Sequence, residues 1–435
     1  MYRFSLEAVQ KHIDFEKTNK KRVWGGAPIK SFFPICFFRE LLDSLLRSSP
    51  PARIPVWSLL TLLVGGCASP GPWFGGPEKP VDETVQEYVE PKPGKSVGLK
   101  RLWRSGVAGS PDKYLMHPGG VALDERLLAV GTFQGKVVAL NPADGSTLWK
   151  TDLGASISGG VAADAERVYA GTIQAEMIAL DRSTGRELWR SGVATSVASP
   201  PRPVRDLVVF LTLDNRTYAL DAATGQRRWV HNTTPEPLVV MGAGTPAVQK
   251  GMVLVGYSSG EIFALSQNEG KPLWTTNLTV MGGRSELDLL QDVNAPLLVT
   301  PKAIFAANHQ GRLMALQPAT GKPYWERTIS VVRTPLLVEN RLVVSDVEGS
   351  LALLNVADGT PLWQTRLSDA LLTTPVMFHD QIVVADSKGR IFAVDPTSGR
   401  VVGLDHFGEP IFADPLVDSG FLYLWTNDGN AYRFE

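Results

Sequence analysis

The chain has 435 residues, 44% hydrophobic and 20% charged, the balance of a globular body with a sizeable core rather than of a disordered chain. Its formal net charge is −1; residues 1–66 hold 10 basic and 5 acidic side chains, which leaves 33 basic against 39 acidic, net −6, in the rest. That balance argues against nucleic acid as a partner, and two cysteines, Cys36 and Cys67, are too few for a disulfide framework, a zinc site or an iron–sulfur cluster.

Residues 1–45 fit no part of a secretory signal, and no methionine stands between Met1 and Met116. The first 40-odd residues are therefore expected to be a gene-start error or a disordered extension. Next comes a mainly apolar run of eleven, Ile54 to Val64, preceded by Arg47 and Arg53 and followed by Gly65, Gly66 and Cys67. That is a signal-peptide layout, and the run falls short of the roughly 18 apolar residues a spanning helix needs. The stretch LVGGCAS resembles a bacterial lipobox, which makes Cys67 the lipid attachment site. The alternative is a buried helix that ends in a Gly-Gly turn with an inert thiol. Each buried methylene adds about 0.8 kcal/mol of membrane affinity, so several acyl chains would anchor the protein stably. Ala68 stands where an inner-membrane retention signal places Asp, so the resemblance implies a lipid anchor at the periplasmic face of the outer membrane. Residues 67–98 carry Pro70, Pro72, Pro77, Pro80, Pro91 and Pro93 with little apolar periodicity. They read as a tether spanning on the order of 30 Å. The expected organisation is 1–66 extension and signal, 67–98 tether, and 99–435 folded body.

From Leu102 onward the sequence repeats. A glycine is followed four residues later by tryptophan at Gly145/Trp149, Gly185/Trp189, Gly225/Trp229, Gly270/Trp274, Gly321/Trp325 and Gly359/Trp363. Five residues before each glycine stands a leucine: Leu140, Leu180, Leu220, Leu265, Leu316 and Leu354. A seventh copy, Val394 and Gly399, has Gly403 in the tryptophan slot. Between these marks, β-rich runs of four to six residues alternate with turn signals, as in an antiparallel meander. The glycine supplies the positive φ of a tight turn, and the tryptophan offers the neighbouring unit a large apolar face and an N–H that needs a carbonyl. A lone meander cannot bury both faces, so units of about 40 residues stack radially.

The two chain ends complete the count. Gly429 to Phe434 matches the strand before the turn, as Gly389 to Val394 does, but stops short of a tryptophan strand, whereas LKRLW around Trp103 is a tryptophan strand with nothing before it. Joined, they make an eighth blade. The expectation is an all-β, eight-bladed β-propeller of four-stranded antiparallel blades, its ring closed by an amino-terminal strand that pairs with the carboxy-terminal blade and removes an open sheet edge. An open solenoid with capping units is the alternative.

Residues that could carry chemistry are sparse. The repeat resembles the PQQ-like repeat of quinoprotein dehydrogenases, yet those enzymes carry a vicinal cysteine pair that this chain lacks, and they are much longer. His12, His117, His231, His309, His379 and His406 show no metal-ligand spacing, and no nucleophile elbow or phosphate loop appears. Asp144, Asp181, Asp221 and Asp358 recur near the turns, where side-chain capping explains them. No cofactor, metal or catalytic residue is expected.

Spacing between successive tryptophans from Trp103 runs 46, 40, 40, 45, 51 and 38 residues. The fourth and fifth intervals carry additions in HNTTPEPLVVMGAGTP and NLTVMGGRSELDLLQDVNAP, connectors of one type in adjacent blades, which should form one continuous surface. GGRSELDLLQDVNAP resembles the hallmark of the BamB family, and with the lipobox, the tether and eight blades the likeness covers nearly everything after residue 53. It implies a non-enzymatic scaffold of the outer membrane β-barrel assembly machinery that docks on a POTRA domain of BamA, meets other components of that complex, and assists unfolded outer membrane proteins. The family's binding pattern, Leu-x-Leu-Arg-Gly, falls on Leu238, Val239, Val240, Met241 and Gly242, and its acidic pair on Asp292 and Asn294. Met241 replaces Arg and Asn294 replaces Asp, which implies a more apolar contact. The bland alternative is that Leu238 to Met241 packs beneath its own loop. A PQQ-dependent or sugar-binding periplasmic propeller, or a lipoprotein propeller of another envelope complex, are the competing functions.

Overall fold

Strands in this chain are short because a turn signal interrupts every apolar run. The computed structural model describes residues 95–107, 121–233, 243–278, 295–308, 311–331 and 333–435. Among them, 32 strands form eight four-stranded antiparallel sheets and there is no helix. Seven blades are contiguous in sequence: 121–152, 157–192, 202–232, 247–277, 298–328, 336–366 and 376–406. The eighth combines three strands between 416 and 434 with Arg101–Gly106, which pairs antiparallel with Asn430–Phe434. Trp103 thus lies opposite Arg433, the closure expected from the two incomplete chain ends.

Within a blade, the second and third strands are buried on both faces. In blade two, Val168 to Ala170 and Met177 to Leu180 are fully enclosed, packed against the blades on either side. Such strands read as continuous apolar runs rather than alternating ones. The fourth strand alternates, with Leu188 out and Trp189 half-buried.

Seven tryptophans lock each blade to the next. The indole N–H of Trp103, Trp149, Trp189, Trp229, Trp274, Trp325 and Trp363 donates to a carbonyl three residues before the next blade's turn glycine, at 2.8–3.1 Å. The ring itself lies on that glycine: a Cβ at Gly185 would sit 2.4 Å from Trp149 Cε3. Glycine is thus required twice, for its φ of +72° and for room. The Ala-Leu signature has its own cause. Ala139, Ala179, Ala219, Ala264 and Ala315 stand directly across from their blade's tryptophan, and the ladder shifts register at the following leucine. A small residue beside the indole and a bulge after it let the tight turn close. The recurring acids cap turns: Asp181 Oδ1 accepts the Ser183 and Thr184 N–H groups, and Asp358 Oδ1 accepts that of Thr360.

The seam between blades seven and eight has no such lock, because Gly403 occupies the slot. The entering chain fills it. Leu404 N–H donates to the Lys95 carbonyl at 3.1 Å, Ser96 Oγ bonds Asp405 at 3.0 Å, and Val97 and Leu99 pack on the cluster of Phe378, Ile411 and Phe434. A Cβ on Gly403 would fall 2.7 Å from Val97 Cα. Its φ is not positive, so Gly403→Ala brings no backbone strain and tests the strap alone. It should lower stability in urea by about 1–2 kcal/mol, the burial lost by two half-buried aliphatic side chains, and speed tryptic cleavage after Lys95. On the other side of blade eight, at its seam with blade one, Arg433 stacks 3.5 Å over Phe421 and donates to the Pro142 and Ala143 carbonyls.

Candidate partner-binding face

Antiparallel order fixes which loops share a face. Connectors from each fourth strand to the next blade's first strand emerge beside the turns between second and third strands; a Cβ on Gly135, in such a turn, would lie 2.4 Å from the carbonyl oxygen of Ala155 in the connector. The turn glycines that receive tryptophan lie on the opposite face.

Connector lengths differ sharply. Five hold 4 to 9 residues, whereas those into blades four and five hold 14 and 20. The connector from Arg101–Gly106 into blade one also holds 14, making a third enlarged loop on the same face. Its signal in the sequence is the first tryptophan interval of 46 residues, which goes unnoticed when only neighbouring loops are compared. Leu238, Val240, Met241, Asp292 and Asn294 lie outside the described residues, as does Cys67.

The roots of the enlarged loops are described, and two of them meet. A Cβ on Gly244, where the chain re-enters blade four, would stand 3.0 Å from the Ala295 carbonyl oxygen, where it re-enters blade five. Ala243 N–H donates to the Ala198 carbonyl at 3.0 Å, tying the first root to blade three. On the departing side, the His231 ring packs 5.1 Å from Phe263 and 6.2 Å from Tyr257. Burial pushes its pKa below the ordinary 6.5, so it is neutral at pH 7. Leu278 is buried, and its carbonyl accepts from the fully buried Asn308 amide at 3.1 Å. Both loops therefore spring from fixed, largely apolar footings.

These roots border the central channel, a cavity of about 620 Å³ lined by first-strand residues such as Arg202 and Val248, by Pro246 and Pro296, and by Trp425. Arg333 crosses its wall. The guanidinium donates to the Leu372 and Phe412 carbonyls, each at 3.2 Å, and stands 3.5 Å from Asp414, whose Oδ1 accepts the Thr374 N–H. One side chain so joins the inner ends of blades six, seven and eight. Nothing in the repeat marks Arg333, since the corresponding residues of other blades are small or neutral. Among the described residues no three His, Cys, Asp or Glu side chains are placed to hold a metal ion.

Comparison with known proteins gives three kinds of match. A family model described as outer membrane protein assembly factor BamB matches residues 99–157, 134–365 and 347–435. BamB of Pseudomonas aeruginosa is 32% identical over 199 residues, covering 45% of this chain and 52% of that protein. BamB of Escherichia coli K12 is 29% identical over 197 residues, covering 45% and 50%. The chain spans about half the length of the curated relatives it matches. The crystal structure of BamB from Moraxella catarrhalis superposes with a TM-score of 0.70 at 24% identity, over 78% of this chain and 99% of that one. Quinohemoprotein alcohol dehydrogenase from Comamonas testosteroni does so at 0.60 and 14% identity, over 77% and 76%, a likeness of fold alone.

Proposed function

This chain belongs to the family of outer membrane protein assembly factor BamB, and from that premise we propose that it is a non-enzymatic scaffold of outer membrane β-barrel assembly, held by acylated Cys67 at the periplasmic face and docked on a POTRA domain of BamA. The observation that carries the reading is the meeting of the two enlarged connectors at Gly244 and Ala295. Loops raised side by side from rigid footings form a binding surface at little cost in ordering entropy. Leu238, Val240 and Met241 supply its apolar part and Asp292 and Asn294 its polar part.

Unfolded barrel proteins are the expected clients. Among the described residues, each blade leaves the outer edge of its fourth strand unpaired, and the residue before the tryptophan slot is an exposed apolar one in seven blades: Leu102, Leu148, Leu188, Leu273, Tyr324, Leu362 and Val402. Open edges with apolar side chains suit extended amphipathic strands.

The test is co-purification with BamA from crosslinked envelopes. Leu238→Asp combined with Asp292→Arg should cut recovery of BamA at least about tenfold, as expected when central contacts of an interface are lost, while the circular dichroism of the propeller stays unchanged. Full recovery of BamA would refute the assigned surface.

A further inference from the structure

The face opposite the enlarged connectors carries grooves between blades, and two of them differ in how their charges are used. The groove at blades one and two contains Arg126, Arg167 and Arg182, but also Glu166 and Asp181. Two of its three cations are held by acids: Arg182 meets Asp124 at 2.5 Å, and Arg167 meets Glu166 at 2.9 Å. The groove centred on blade five encloses about 590 Å³, with Met252, Pro318 and Trp325 in its walls, Tyr324 at 57% exposure, and Lys250 and Lys302 at its rim. No carboxylate of a described residue lines it, and neither ammonium has a hydrogen bond or ion pair to another described residue. The same inter-blade position thus mixes acids with its cations at one place in the ring and, among the described residues, carries only cations and apolar groups at another.

We propose that the blade-five groove is a second docking site, for a segment of a partner polypeptide that carries carboxylates on either side of a large apolar side chain. The apolar group lies between Tyr324 and Met252, and the carboxylates face Lys250 and Lys302. An exposed tyrosine beside a half-buried tryptophan is the composition of an interface anchor, and two unpartnered ammonium groups without a competing acid select the sign of what binds. Because this groove lies on the other face of the ring, the site is independent of the BamA-facing loops and both can be filled at once.

Glu-Leu-Phe-Glu-amide labelled with fluorescein on its amino terminus, titrated with the full chain in detergent and followed by anisotropy, should bind, and Lys-Leu-Phe-Lys-amide labelled in the same place should not. Lys250→Glu with Lys302→Glu should weaken the acidic peptide about tenfold and admit the basic one; Tyr324→Ala should weaken binding by a similar factor. All three residues are exposed, so thermal unfolding of the variants should match that of the parent. Equal binding of both peptides, no binding of the acidic one, displacement by acetyl-glutamate as readily as by the unlabelled peptide, or unchanged affinity in the double lysine variant would each overturn the site. None of these outcomes touches the BamA co-purification, so the two readings fail separately.

Discussion

Gly321→Ala should destabilise the propeller by about 3–5 kcal/mol, the range seen when a large aromatic side chain loses its seat. Two costs combine. The turn holds Gly321 at φ +68°, which an L side chain adopts at a penalty of about 1–2 kcal/mol. The new methyl would also fall 2.4 Å from Trp274 Cε3 and 2.6 Å from Thr276 Oγ1, which now donates to the Gly321 carbonyl. The indole must leave, and with it goes the N–H bond to the Pro318 carbonyl. Gly420→Ala separates the terms, since Gly420 has φ +79° but nothing within 4 Å of the added carbon. It should cost only about 1 kcal/mol. Urea midpoints at constant slope provide the measurement, and equal losses in the two variants would show that the indole contact contributes nothing.

A large loss is also expected from Asp386→Ala, about 3 kcal/mol, the lower end of the range for breaking a buried pair, because the buried Arg390 loses its buried carboxylate and keeps only the more exposed Asp369, 2.7 Å away. Asp386 is fully buried in the second-to-third turn of blade seven. One oxygen accepts the backbone N–H of Lys388 and Arg390; the other accepts Arg390 Nε at 2.6 Å and Ser368 Oγ at 2.7 Å. The equivalent turn position is threonine in blades one, two, three and eight, where Thr132, Thr172 and Thr212 accept or donate locally. The fold therefore accommodates a neutral turn, and Asp386→Thr with Arg390→Met should recover most of the loss. If the double variant is as unstable as Asp386→Ala, the ion pair stabilises blade seven in its own right and does not merely satisfy itself.

Both variants act through contacts between blades, and the same contacts hold the binding faces. Roots tied to neighbouring blades, such as Ala243 on Ala198, transmit a blade's position to its loop. A destabilised seam at blades four and five would displace the paired connectors before it unfolded the ring, so partner binding should be read alongside stability in any variant of Trp274 or Gly321.

By itself the sequence determined the blades, their number, the glycine turns, the tryptophan strands and the shared eighth sheet. Each of these is a local pattern repeated at a fixed interval, and repetition turns a weak signal such as one Gly-x-x-x-Trp into a strong one. It also located the two loops into blades four and five, because extra length shows directly in the spacing. Only the tertiary structure decided that Gly403 is the bed of the amino-terminal strap, that Arg333 joins three blades, that Asp386 and Arg390 are buried together, and that the lysines over blade five have no acid partner among the described residues. Those features occur once each, and no repeat interval predicts them: Asp386 and Arg390 stand four residues apart in one turn, whereas Val97 and Gly403 are brought together only by closing the ring. A periodic sequence specifies each unit's near neighbours; what fills a departure from the period depends on which distant segment the closed ring delivers there.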